Sequence, residues 1–337
     1  MLNRRISVRF YNKICQSTKY LHMKIKTIAI LTVSLMFIIS CTPYKQLSQP
    51  ETMRDLDYGT DVNYIRLSED VELAYTDEGS GETTIIFIHG LGSYLPAWKK
   101  NVSVLKEHYR CIAVDLPGYG KSSKNPHSGM MTYYADIILQ FIDKMELEHV
   151  VAAGHSMGGQ IAMVAALTAP EKIGKLILTD PAGFEDFHPG QRRWFKEIMT
   201  PNLVRLTKAE AIENNLAVNF YEMPEDALFM IEDRIAMRSA ADFEHYCYAV
   251  SQSVTGMVDE PVISKLEQIQ QPTLIFFGEN DNLIPNRYLN PGSTYEIAKS
   301  GADKIPNSKL VMVPKCGHFM MFEKADVFNE EVKAFLK

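Results

Sequence analysis

The chain has 337 residues, of which 46% are hydrophobic and 23% charged, enough apolar material for one large α/β domain carrying an insertion. Its net charge is −6; setting aside residues 1–40, which hold seven Lys or Arg and no acid, leaves 28 basic against 41 acidic residues, a balance of −13. So acidic a chain argues against nucleic acid as a partner, and nine histidines without HExxH or other ligand spacing imply neither metal nor cofactor.

The amino terminus differs in kind from the rest. Lys24 and Lys26 precede an apolar run over 27–39, short for a bilayer span but right for the hydrophobic region of a signal peptide, and Met23 opens a compact signal of its own. The run passes through Ile38, Ile39 and Ser40 into Cys41. Aliphatic and small residues leading into a cysteine resemble a bacterial lipobox. Residues 1–40 are therefore expected to be a signal peptide or leader, and Cys41 to be lipidated and to attach the protein to a membrane. The expected location is the bacterial cell envelope, after export across the cytoplasmic membrane. Residues 41–60, polar with scattered Pro, Gln and Ser, read as a tether. Cys111, Cys247 and Cys316 have no paired spacing that specifies a disulfide.

Short strand-like runs at 64–67 and 71–76, separated by Ser68-Glu69-Asp70, predict an opening antiparallel hairpin. The β-branched and aromatic run at 83–88 has the character of a strand buried on both faces and ends in His89-Gly90-Leu91-Gly92. A helix is predicted over 94–106, then a second buried strand at 109–114 running into Asp115-Leu116-Pro117-Gly118-Tyr119-Gly120-Lys121-Ser122. Apolar residues at helical spacing occupy 131–145. Next comes the apolar run 150–153, which ends at Gly154-His155-Ser156-Met157-Gly158 and leads into an alanine-rich helix over 160–169. A strand at 175–179 ends in Asp180. Residues 184–260 have helical periodicity and many large apolar residues, including Phe184, Trp194, Met199, Tyr221, Met230, Phe243 and Tyr246, and read as a helical cap. Strands resume at 273–277 and 309–313, and an amphipathic helix over 325–336 closes the chain. Strands alternating with helices imply right-handed crossovers and a mostly parallel sheet, whose ligands bind at the carboxyl ends of the strands.

The Gly-x-Ser-x-Gly between strand and helix has a mechanical reason. Ser156 must take a strained conformation on a tight turn, and Gly154 and Gly158 remove the side chains that would collide there. A serine hydroxyl is too weak an acid to attack a carbonyl unaided, so it needs a neutral imidazole as base and a carboxylate to hold the imidazole tautomer. The order serine, later Asp, final His is met here by Ser156, Asp281 and His318. Rival assignments are weaker. A phosphate loop at 118–122 would need glycine where Asp115 stands. Asp115 reads as a carboxylate bonding loop amides, His89 as a loop-orienting residue, and His155 as packed between strand and helix. Asp180 is the best rival acid, following a core strand as it does.

His89-Gly90-Leu91-Gly92, the segment from Asp115 to Ser122, Gly154 to Gly159, Gly278 to Pro285, and Cys316-Gly317-His318-Phe319 resemble landmarks of the α/β-hydrolase superfamily, in that family's order, from about Tyr64 to the end. The resemblance implies an α/β-hydrolase fold with a core over 61–182 and 261–337 and a cap over 183–260. It favours Asp281 over Asp180 as the acid, and it implies an oxyanion hole from the backbone N–H groups of Leu91 and Met157. Two departures stand out: 286–294 lengthens the path from acid to base, and no proline follows Glu323. The expected function is hydrolysis of carboxylic esters with small or medium acyl groups through an acyl-enzyme. The alternatives are hydrolysis of a carbon-carbon bond in a ring-cleavage product and a non-catalytic envelope lipoprotein.

Overall fold

Eight strands order the molecule, and the computed structural model describes them within residues 47–337, together with Tyr44. The strands are β1 (Asn63–Arg66), β2 (Glu72–Glu78), β3 (Thr84–Ile88), β4 (Arg110–Val114), β5 (Val150–His155), β6 (Ile173–Thr179), β7 (Thr273–Gly278) and β8 (Ser308–Val313). They form one sheet in the order β1-β2-β4-β3-β5-β6-β7-β8. The β1–β2 and β2–β4 pairings are antiparallel and every other one is parallel. The predicted opening hairpin is thus the antiparallel edge of a mostly parallel sheet. The leader and Cys41 lie outside the described residues, and among those described no helix is long and apolar enough to cross a membrane.

Every residue of β3, β5 and β7 is buried, as continuous apolar runs require when helices cover both faces. Alternation along β3 divides the core in two. Ile86 and Ile88 point toward α2 (Met131–Lys144) and α3 (Met157–Thr168), while Ile85 and Phe87 point toward α1 (Lys99–Leu105) and the carboxyl-terminal helix. The helix predicted over 94–106 is broken in two: Pro96 sits in a 3-10 turn, Leu95–Trp98, and α1 begins only at Lys99. The turn seats Trp98 against Phe87, with ring centroids 5.1 Å apart.

Between β6 and β7 the chain forms α4 (Pro189–Ile198), α5 (Pro201–Leu206), α6 (Ala209–Ala217), α7 (Leu228–Ala236) and α8 (Phe243–Asp259), of which α4 and α5 contain no buried residue. Phe184, grouped with the cap by its composition, is a core residue instead. It follows the β6 turn directly and lies against Phe277 of β7, centroids 5.9 Å apart. α9 (Thr294–Ala302), α10 (Met320–Glu323) and α11 (Ala325–Leu336) complete the chain.

Candidate active site

At the carboxyl end of β5 the backbone turns sharply through Ser156, whose φ of 54° and ψ of −118° lie where non-glycine residues are strained, at a cost of order 1–3 kcal/mol. Backbone hydrogen bonds hold the strained residue. Its N–H donates to the Thr179 carbonyl at 3.0 Å, and its own carbonyl accepts from Gly159, Gln160 and Ala182 at 2.9, 3.3 and 3.0 Å. A Cβ at Gly158 would come 2.2 Å from the Ile88 carbonyl oxygen, so only glycine lets α3 start this close to β3.

Two further loops meet the elbow. The one after β3 approaches so closely that a Cβ on Gly90 would stand 3.1 Å from Ser156 Cβ. It carries Leu91, whose N–H, like that of Met157 at the head of α3, finds no acceptor among the described residues. His89 fixes this loop as expected: its Nδ1 donates to the Gly90 carbonyl at 2.8 Å, and its Nε2 accepts from Leu116 N–H at 3.1 Å. Asp115 bonds loop amides, accepting from Leu95 and Lys121 N–H at 2.7 Å each and from the Tyr58 hydroxyl at 2.8 Å.

From the other side come the loops after β7 and β8. His318 Nδ1 and Asp281 Oδ2 are 2.8 Å apart, with both side chains buried. Asp281 Oδ1 accepts from Leu283 and Ile284 N–H, which fixes the carboxylate and leaves Oδ2 for the imidazole. His155, beside the nucleophile, is buried as expected, but it does more than pack. Its Nε2 donates to the His318 carbonyl at 2.9 Å, so the strand that carries Ser156 is tied directly to the loop that carries His318. Burial, and then the neighbouring His318, push His155 well below the usual imidazole range and keep it neutral.

Asp180 lies next to this pair rather than apart from it. Asp180, Asp281 and His318 present ligating atoms all within 4.8 Å of one another. That is also a donor set for a metal, yet Asp281 Oδ2 and His318 Nδ1 are engaged with each other. Asp180 Oδ1 accepts from Gly278 N–H at 2.8 Å, while its Oδ2 is buried with no hydrogen-bond partner among the described residues. Burial, and then repulsion from Asp281, push its carboxyl well above the carboxylate range, which favours the protonated form.

Two functional residues escape sequence reasoning. Glu323 accepts from Gly317 N–H at 2.8 Å and from Tyr221 and Glu222 N–H at 3.1 and 2.9 Å, so one carboxylate spans the His318 loop and the chain between α6 and α7. Nothing in the sequence around it points to the glutamate. The second is Arg234 of α7. A cavity of about 540 Å³ adjoins the loops after β3 and β8, with Leu91 and Phe319 in its wall and Met199, Met230, Phe243 and Tyr246 of the inserted segment around it. Arg234 lines the same cavity and makes no hydrogen bond or ion pair among the described residues; its guanidinium lies 5.4 Å from the Tyr246 ring centroid. A single arginine in an apolar segment carries no pattern that would have picked it out.

Known proteins bear on these loops. In sequence the chain is 27% identical to a 2-hydroxy-6-oxononadienedioate/2-hydroxy-6-oxononatrienedioate hydrolase of Pseudomonas putida, over 81% of this chain and 95% of that one. It is 25% identical to YugF, an uncharacterized hydrolase of Bacillus subtilis, over 77% and 92%. In structure it is similar to a probable hydrolytic enzyme of Pseudomonas aeruginosa, with a TM-score of 0.76 at 24% identity over 86% of this chain and 99% of that one. It is also similar to an esterase of Exiguobacterium antarcticum, with a TM-score of 0.69 at 23% identity over 81% and 98%. The family described as alpha/beta hydrolase fold matches residues 83–325, a stretch that takes in the loops after β3, β4, β5, β6, β7 and β8, and so this chain belongs to the α/β-hydrolase family and is a hydrolytic enzyme.

Proposed function

We propose that the enzyme hydrolyses carboxylic esters of small or medium acyl groups, with Ser156 as nucleophile, His318 as base and Asp281 as the residue that orients it. The observation that carries this reading is the buried His318–Asp281 hydrogen bond of 2.8 Å beside a serine held at a φ of 54°. With Nδ1–H given to Asp281, the other imidazole nitrogen is left to take the Ser156 proton as Oγ bonds to the acyl carbon. The proton then passes to the departing alkoxide, the ester C–O bond breaks, and water repeats the sequence on the acyl-enzyme. The free N–H groups of Leu91 and Met157 would bind the developing oxyanion, a contribution of about 3–4 kcal/mol per donor in comparable sites. Labelling with a fluorophosphonate probe tests the reading, since Ser156 should be the modified residue. A screen of nitrophenyl esters of graded length then ranks the acyl groups.

A second reading has its own support. Arg234 is a cation with no hydrogen-bond or ion-pair partner among the described residues, in a cavity otherwise walled mostly by apolar side chains, and a substrate carboxylate would satisfy it. The Pseudomonas putida relative is named for action on dienedioates, which carry such groups and are split at a carbon-carbon bond. Turnover of a ring-cleavage dienedioate faster than any nitrophenyl ester would move the assignment to carbon-carbon hydrolysis. We also propose attachment to the bacterial envelope through lipidated Cys41. Cys41→Ala should leave an unprocessed precursor, and a mature amino terminus mapped elsewhere by mass spectrometry would remove that proposal.

A further inference from the structure

The inserted segment turns apolar side chains outward. On α4, Trp194 and Ile198 are 42% and 43% exposed, and on α5 Leu203 and Leu206 are 45% and 66% exposed. In each helix the two lie three or four positions apart, hence on one face. Both helices rest on α8, and neither buries a residue. Single exposed apolar side chains mean little, but four on two short helices that both rest on α8 are unusual for a surface meant only for water.

Charge identifies what would cover them. The two helices carry Arg192, Arg193, Lys196 and Arg205 against Glu197 alone, in a chain whose net charge is −6. Arg192 and Lys196 are neutralised by Asp186 and Asp259, whereas Arg193 and Arg205 have no ion pair among the described residues. A second copy of the chain meeting this face through a two-fold axis would set like charges together, a poor interface. Apolar side chains interleaved with unpaired arginines instead match a membrane surface that contains anionic lipid.

We infer that α4 and α5 form a face that seats in the headgroup region of an anionic bilayer, with Trp194, Ile198 and Leu206 inserted and Arg193 and Arg205 on lipid phosphates. The inference needs neither Cys41 nor any particular substrate. Leu203 adds a link to the site, because it is half-exposed on this face and also lines the cavity beside the oxyanion loop. If the ester reading holds, acyl chains would reach the cavity from the lipid side.

The chain supplies its own reporter. Of its two tryptophans, Trp98 is fully buried and Trp194 is exposed, so lipid-dependent emission changes report Trp194. The full chain would be held in vesicles of zwitterionic lipid, with or without anionic lipid, some carrying bromine on the acyl chains. The expected result is a blue shift and bromine quenching that grow with anionic lipid, fade at high salt and vanish in Trp194→Phe. Arg193→Gln should lower the ratio of seated to free face about fivefold, the worth of one surface cation near such a membrane. Leu206→Asp should abolish quenching yet keep hydrolysis of a water-soluble ester, which separates lost docking from lost folding. Trp194 emission that ignores bromine in every vesicle overturns the proposal. A shift that appears without lipid and rises with protein concentration overturns it in favour of self-association, and quenching equal in neutral and anionic vesicles overturns the role of the arginines.

Discussion

The carboxyl edge of the sheet and the helices inserted above it are built on opposite terms. At the edge, β5 and β7 bury every residue, the Ser156 backbone is bonded to Thr179 and Ala182, and Asp281 holds His318 while accepting from Leu283 and Ile284 N–H. Above it, α4 and α5 bury nothing, and the cavity wall is made of methionine, phenylalanine and tyrosine side chains that can repack. The lesson is a division of labour. Strain and orientation, which chemistry needs to within fractions of an ångström, are stored in the core, while substrate choice is left to the part that adapts.

The largest effect should come from the core. Ser156→Ala is expected to lower kcat by about 10⁶ with an unchanged melting temperature, since a triad acts as a unit; retention of most activity would move the nucleophile elsewhere. Asp281→Asn should cost about 10⁴ through the wrong imidazole tautomer. Asp180→Asn should cost far less, because Asp180 favours its protonated form and carries no hydrogen bond to His318. The reverse ranking would make Asp180 the acid.

A pH experiment probes the seam between the two parts. His127 Nε2 donates to the Pro117 carbonyl and its Nδ1 accepts from Gly129 N–H, both at 3.1 Å, so a second ring proton would face an N–H. Burial pushes this imidazole down to about 4. Because the unfolded ring takes up a proton near 6.5, the unfolded state binds protons first as pH falls. Stability should be complete above about 6.5 and decline between there and 4. His127→Asn should flatten that part of a melting-temperature profile, and an unaltered slope would show that other groups control it.

The smallest effect belongs to the cavity. Each CH₂ removed from water contributes about 0.8 kcal/mol, so kcat/KM should rise up to a few-fold per carbon over the first few carbons of the acyl chain if part of that energy reaches the transition state. Phe243→Ala should flatten the trend before it affects the shortest ester. Indifference of the parent enzyme to acyl length would mean that these side chains serve only one another.

Where backbone sterics and periodicity decide structure, the sequence was readable. Gly154 and Gly158 around Ser156 announced the elbow, and the continuous apolar runs within the α/β core announced the buried strands. The outcome diverged where one residue changes role through a contact distant in sequence. Pro96 broke a helix to seat Trp98, and Phe184 joined the core because β7 and α9 lie beneath it. Arg234 and Glu323 matter through surroundings absent from their neighbourhoods in the chain: a largely apolar cavity for one, and amides about a hundred residues away for the other. That Asp180 would lie within 4.8 Å of Asp281 and His318 also follows only from the parallel pairing of β6 with β7.

Glu323 makes the two parts thermodynamically inseparable. Its carboxylate accepts at once from Gly317, next to the base, and from Tyr221 and Glu222 in the inserted segment. Any displacement of that segment to admit a substrate must therefore either drag the base loop or release it from an anion that holds it. By linkage, whatever settles the inserted segment also sharpens the alignment of His318, and whatever aligns His318 settles the segment by the same free energy. Opening of the inserted segment and a His318 loop held by Glu323 then become mutually exclusive states of one equilibrium.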